Sequence, residues 1–241
     1  MEIPQGPDEI LNRLTAAGFQ AYAVGGCVRD SLLGVLPGDW DICTSALPEE
    51  TEACFRDLRV VETGLKHGTV TVISEGVPYE ITTFRSDGAY LDHRRPQQVN
   101  FVHTLREDLL RRDFTINAMA VGLDGVIQDP FGGQQDLKDG VIRCVGNPEN
   151  RFSEDALRIL RGLRFASRLG FSIAPETAAA MKRQKALLAY VSGERIYKEL
   201  TGILIGAYAQ QVLEQYGSVL TAVLPELQPS MGFLQHSPFH N

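Results

Sequence analysis

This sequence predicts an α+β domain followed by an all-helical one, with the change of character near residue 147. Three β-branched-rich runs, VVET, TVTVIS and YEITTF, follow one another at short spacing, separated by Gly64, Gly68 and Gly76. That pattern reads as antiparallel sheet. After Asn147-Pro148 no strand-like run follows, and residues 151–216 carry helical pattern interrupted near Gly170, Pro175 and Gly193. The expected division is therefore a head over 1–147 and a helical neck and start of a body over 148–241.

Taken in order, Pro7-Asp8 opens a helix with Ile10, Leu11 and Leu14 on its apolar face, and Gly18 stops it. AYAV at 21–24 reads as a strand, Gly25-Gly26 as a turn, and 27–33 as a helix ended by Gly34. WDICT at 40–44 reads as a strand, and 48–58 as an amphipathic helix with Pro48 in its first turn. Residues 85–101 lack a core-facing stripe and read as a mobile loop. Helical pattern returns over 105–119, and GVIQDPFGGQQDLKDGVIRCV suggests two short strands around a turn.

A composition of 44% hydrophobic and 22% charged residues is that of a soluble globular protein. No run approaches the roughly 18 apolar residues of a membrane helix, and the acidic, polar N-terminus is no secretory signal. A cytoplasmic protein without a membrane partner is expected. Cys27, Cys43, Cys54 and Cys144 have neither CxxC spacing nor a nearby histidine, which argues against zinc and for reduced thiols. The net charge of −7 hides a local concentration of basic residues. Five arginines lie between 151 and 168, five basic residues between 182 and 198 (Lys182, Arg183, Lys185, Arg195 and Lys198), and no Lys or Arg follows. Such clustering suits a phosphate ligand.

Chemistry concentrates in three stretches. In the first, Gly25 and Gly26 between a strand and a helix let backbone N–H groups approach an anion, with Arg29 one turn on. Asp39 and Asp41 follow at i and i+2, so an extended backbone points both carboxylates to one face. Like charges so placed raise each other's pKa unless a cation bridges them, and hard oxygens suit Mg²⁺. Glu80 is a candidate third carboxylate from a neighbouring strand. In the second stretch, Arg112 could clamp a triphosphate, while Asp113 could accept from a ribose hydroxyl or orient the arginine. In the third, Asp155, Arg158, Arg161 and Arg164 recur every three residues and form one ribbon on a helix. An anionic ligand along the ribbon would relieve the repulsion, and Asp155 with Arg158 could read a base edge.

GGCVRDSLLG, DWDICT, RRDFTINAMA, DPFGGQQDL, EDALRILRGLRF and SGERIYKEL stand in order from about residue 20 to residue 200. Together they resemble the class II, bacterial-type tRNA nucleotidyltransferases and the related bacterial poly(A) polymerases. The resemblance implies a polymerase-β-like head with Asp39 and Asp41 as ligands of two Mg²⁺ ions, and Glu80 matched less closely to a third acid. It implies triphosphate contacts from Gly26, Arg29 and Arg112, and Gly25 and Asp113 belong to the same expected nucleotide-binding set. Glu154-Asp155-x-x-Arg158 would serve as an amino-acid template for CTP and ATP, with Arg161 and Arg164 beside it. The DHRRP segment at 92–96 resembles the loop used in switching from C to A, favouring full CCA addition to the tRNA 3′ end. A poly(A) polymerase or a partial adder on the same fold is the alternative. Family members run well past 241 residues, so the chain is expected to be the catalytic portion of a longer or shortened protein. His236 and His240 would then be tail residues or remnants of a following module.

Overall fold

The computed structural model describes residues 1–87 and 99–227. The DHRRP segment, His236 and His240 lie outside the described residues. Packing divides the chain into two compact units, the first running to Leu137 and the second starting at Lys138.

The first unit begins with α1 (Gln5–Ala16), whose buried Ile10, Leu11 and Leu14 recur at helical spacing. β1 (Ala21–Val24) leads through Gly25 into α2 (Gly26–Leu32), and β2 (Ile42–Thr44) leads into α3 (Pro48–Cys54). Then come β3 (Arg59–Gly64), β4 (Thr69–Ser74) and β5 (Val77–Thr83). The three runs rich in β-branched residues do form consecutive antiparallel strands. β8 (Ala120–Val121) and β9 (Ile127–Gln128) complete a seven-stranded sheet of order β3-β4-β5-β2-β1-β8-β9. The sheet is mixed, because β2 pairs β5 in parallel. One core joins Ile10, Leu11 and Leu14 to Ile42, Phe55, Val70, Val72 and Ile81.

Several local expectations are corrected. β2 starts at Ile42, so Asp39, Trp40 and Asp41 precede the strand. α3 stops before Phe55, which turns into the core instead of continuing the helix. The ends of the expected loop over 85–101 form a ladder, β6 (Arg85–Asp87) with β7 (Val99–Phe101). The helical pattern over 105–119 yields α4 (Leu105–Leu110) and a separate 3-10 turn over Thr115–Asn117. Between them, the Asp113 carboxylate accepts from the Phe114 N–H at 2.8 Å, a local bond that competes with the helix ladder. Between β9 and β10 (Val141–Ile142) the chain forms a helix, α5 (Gly133–Asp139), where a turn was expected. Asp129 starts it by accepting from the Gly133 and Gln134 N–H groups at 2.7 and 2.9 Å.

In the second unit β10 pairs in parallel with β11 (Ser172–Ile173), a two-residue strand inside the stretch expected to be wholly helical. The helices are α6 (Pro148–Glu154), α7 (Leu157–Leu169), α8 (Pro175–Gln184), α9 (Gly193–Leu204) and α10 (Ala209–Leu220). α7 buries Ile159, Leu160 and Leu163 and lies close to α9, with Ser167 Oγ donating to the Ile203 carbonyl at 2.6 Å. Among the described residues no helix is long and apolar enough to cross a membrane. Gly206 makes the close approach after α9 possible, since a Cβ there would stand 2.6 Å from the Ser167 carbonyl oxygen. Gly206→Ala should therefore cost about 1–3 kcal/mol through overpacking, measurable as a lowered urea midpoint.

Candidate active site

Three features of the first unit converge on the turn after β1. Gly25 has φ 85°, a left-handed conformation that glycine adopts without strain, and its N–H donates to the Met119 carbonyl at 3.1 Å. A Cβ on Gly25 would come within 3.1 Å of Arg112 Nη1, and one on Gly26 within 3.7 Å of Arg29 Nη2. Two guanidinium groups therefore lie against the paired glycines. Such a cradle of cations and close backbone suits phosphate oxygens.

The acidic residues adjoin this turn. The Val24 N–H donates to the Asp41 carbonyl at 2.9 Å, so the chain already runs alongside β1 one residue before β2 starts. Ile42 and Ile81 are register partners in the parallel pair. One residue earlier stand Asp41, just before β2, and Glu80 on β5. Asp41 is exposed to solvent, yet desolvation by the surrounding protein pushes its carboxyl up to about 6. Asp39 adds to the rise, Arg112 opposes it, and Glu80 adds a smaller push. Asp39 and Glu80 thus both act on Asp41, although Asp39 and Asp41 precede β2 where a strand was expected to hold them. Among the described residues no three His, Cys, Asp or Glu side chains gather at metal-ligating distance, so Glu80 does not close a three-ligand site. Mg²⁺ needs only one or two protein carboxylates beside substrate oxygens, and Asp39 with Asp41 meet that requirement.

Arg112 is organised by a residue that sequence reading passed over. Asp108, 0% exposed, accepts from Arg111 Nε at 2.9 Å and from Arg112 Nη2 at 3.3 Å. Burial works against the Asp108 charge, but Arg111 and Arg112 outweigh it and hold its carboxyl below the usual range. The i+3 and i+4 spacing of the two arginines was the available signal. The buried Arg112 Nε–H has no hydrogen-bond partner among the described residues, and a native structure rarely leaves such a donor without a purpose. Asp113 does orient an arginine, though through Asn117 and to Arg29: Asn117 Nδ2 donates to Asp113 at 3.2 Å and Arg29 Nη1 donates to Asn117 Oδ1 at 2.6 Å.

The expected ribbon of the second unit is reorganised. Asp155 is extended (φ −137°, ψ 103°) and breaks the helix between α6 and α7, so it does not continue the arginine face. Its carboxylate accepts from Arg195 Nη2 at 2.8 Å. Arg158, 7% exposed, donates to Glu154 at 2.7 Å and to the Arg151 carbonyl at 3.1 Å. Arg164 donates to Glu199 at 2.6 Å, and Arg161 and Arg164 both lie over the Phe165 ring, at 5.6 and 4.6 Å from its centroid. The protein supplies counter-charges to Arg158 and Arg164, so their repulsion does not by itself require an anionic ligand. Cys27, Cys43, Cys54 and Cys144 are free thiols, and burial pushes that of Cys27 up to about 12.

Residues 21–143 match the poly(A) polymerase head domain, and residues 170–231 match a segment described as "Probable RNA and SrmB- binding site of polymerase A". A CCA-adding enzyme of Geobacillus thermodenitrificans is 50% identical over 219 residues, covering 90% of this chain and 54% of that protein. The chain thus spans about half the length of the relatives it matches. The crystal structure of a Bacillus stearothermophilus CCA-adding enzyme in complex with CTP superposes with a TM-score of 0.88 at 44% identity, over 98% of this chain and 57% of that one. A Thermotoga maritima CCA-adding enzyme complexed with tRNA gives 0.77 at 30% identity, over 93% and 54%.

The raised carboxyl of Asp41 has a sign that can be tested. In the metal-free protein the folded state binds a proton more tightly there than the unfolded chain, whose value is near 3.8. The contribution of Asp41 to stability therefore falls as pH rises from about 4 to about 6. Asp39→Asn removes one raising charge and should lower the Asp41 pKa, read by carbon-13 NMR titration of the carboxyl. Asp41→Asn should raise the melting temperature above pH 6 without metal.

Proposed function

The chain belongs to the poly(A) polymerase head-domain family, and on that premise we propose that it adds C, C and A to the 3′ end of tRNA from CTP and ATP, releasing pyrophosphate. The observation that carries this reading is the convergence of Arg29 and Arg112 on Gly25-Gly26, with an unsatisfied Arg112 Nε–H and the carboxylate of Asp41 in the same field. A nucleoside triphosphate is the ligand such a site suits. Its phosphates would meet two cations and close backbone, with Arg112 electrostatically coupled to Asp41. The CTP and tRNA named with the structural relatives support the same substrates here.

In this mechanism the terminal ribose hydroxyl of the RNA attacks the α-phosphate. Arg29 and Arg112 hold the triphosphate in line and stabilise the charge that passes to the leaving pyrophosphate. Asp39 and Asp41 would hold Mg²⁺, which when bound supplies Lewis-acid activation of the hydroxyl and stabilises the leaving oxygens. Glu80 strengthens the negative field at Asp41. In the second unit Asp155 and Arg158, each set by its own partner, would offer the acceptor and donor that select a base without a nucleic-acid template. Arg161 and Arg164 flank them on α7. The setting is the cytoplasm, where tRNA ends are completed.

Incubation with tRNA ending at the discriminator base should extend it by C alone with CTP, and by CCA with CTP and ATP together. A long adenylate product would place the chain with the poly(A) polymerases instead. Asp39→Ala or Asp41→Ala should cut incorporation on the order of a hundredfold to a thousandfold. Normal turnover in either would end the metal role. Asp155→Ala should weaken CTP-over-ATP selection at the first step by roughly tenfold, and unchanged selectivity would remove the template role.

A further inference from the structure

Asn117 belongs to the RRDFTINA stretch, is 6% exposed, and lies between two charged groups. Its Oδ1 accepts from Arg29 Nη1 at 2.6 Å, and its Nδ2 donates to Asp113 Oδ1 at 3.2 Å. A guanidinium only donates, and an ionised carboxylate only accepts. The side chain between them must therefore accept on one side and donate on the other while carrying no charge. A carboxylate at position 117 would satisfy Arg29 but oppose Asp113, and an aliphatic side chain would satisfy neither. An amide meets both demands, and its two neighbours dictate which end faces which.

The bridge is anchored at both ends. Asp113 Oδ1 also accepts from the Phe114 N–H at 2.8 Å. On its other edge the Arg29 guanidinium donates through Nε and Nη2 to Asp30 Oδ1, at 2.8 and 2.7 Å. Held from two sides, the fork is fixed with Nη2 3.7 Å from where a Cβ on Gly26 would stand. A long arginine left to itself would sample many rotamers and lose that freedom on binding a phosphate.

We propose that Asn117 is a positioning residue that fixes the Arg29 fork over the paired glycines in advance of the triphosphate, and that the polarity of its amide is the property required. This rests on the reading of Gly25-Gly26 as the triphosphate site. The mechanism needs no contact between Asn117 and substrate, since its action passes through Arg29.

The test uses the full chain and inorganic pyrophosphate as probe, which carries neither ribose nor base and so isolates the phosphate contacts. Asn117→Leu, similar in size and uncharged, should weaken pyrophosphate binding on the order of tenfold, read by calorimetry. The KM for CTP should rise in parallel, and kcat should fall as well, because Arg29 also steadies the charge on the leaving pyrophosphate. Asn117→Asp is isosteric and keeps the acceptor toward Arg29, but it loses the donor toward Asp113, so it should also weaken pyrophosphate binding, by about threefold or more. It serves where Asn117→Leu does not fold, as judged by thermal unfolding. Native affinity in either folded variant would overturn the proposal. A native chain that binds neither pyrophosphate nor CTP would instead remove the triphosphate site itself.

Discussion

A charge buried at Asp108 has to be paired, and the pairing organises the first unit around it. Taking a carboxylate out of water costs several kcal/mol unless other groups replace its hydration. Two arginines supply that replacement, and the Arg85 N–H approaches the same carboxylate at 3.3 Å. Arg112, tied at one end of its fork, presents the other against Gly25. A second polar line, from Phe114 through Asp113 and Asn117 to Arg29, fixes the other cation over Gly26. The first line starts at Asp108 on α4 and the second in the short segment that follows it, so residues 108–117 determine where the positive charge of the site stands.

How much of this was legible depended on the range of the interaction. The GG turn and Arg29 one helical turn beyond it could be read because glycine geometry and helix spacing are local rules. The acidic pair was expected on a strand and instead precedes β2. Glu80 lies on β5 as expected and adds to the field at Asp41, without closing a three-ligand site among the described residues. Asp108 and Asn117 were missed for different reasons. Asp108 obeys a spacing rule shared with many surface ion pairs, and only its complete burial marks it out. Asn117 acts across 88 residues of sequence to Arg29, a pairing that spacing cannot show. The helix expected over 105–119 failed because Asp113 and Phe114 satisfy each other locally, where propensity alone would continue the turn.

The arginine face of α7 teaches the converse lesson. Cations three residues apart repel in an isolated helix, and an external anion is the simplest remedy visible in sequence. The fold supplies others: Glu154 from the preceding helix, Glu199 from α9 and the ring of Phe165. Glu199 lies 35 residues from Arg164, beyond any local pattern. Asp155 leaves the helix altogether, and the extended backbone there separates its carboxylate from the arginine face. Asp155 and Arg158 are held by different partners, Arg195 and Glu154, so each is fixed without neutralising the other. The proposed reading of a base edge by these two groups depends on that independence, since a direct ion pair between them would occupy both donor and acceptor.

Electrostatic strain and phosphate affinity in the first unit have a common origin. Asp39, Asp41 and Glu80 oppose one another, and the raised carboxyl of Asp41 records the cost of ionising it in the folded chain. Arg112 offsets part of that cost from the phosphate side. Replacing the acids by amides would relieve the repulsion, but it would leave Arg112 with Asp108 as its remaining strong partner. It would also remove the hard oxygens a cation requires. On the proposed reading, a cation and a triphosphate arriving together would balance these opposed charges, and each would bind more tightly in the presence of the other. A fold selected for stability alone would have kept such charges apart.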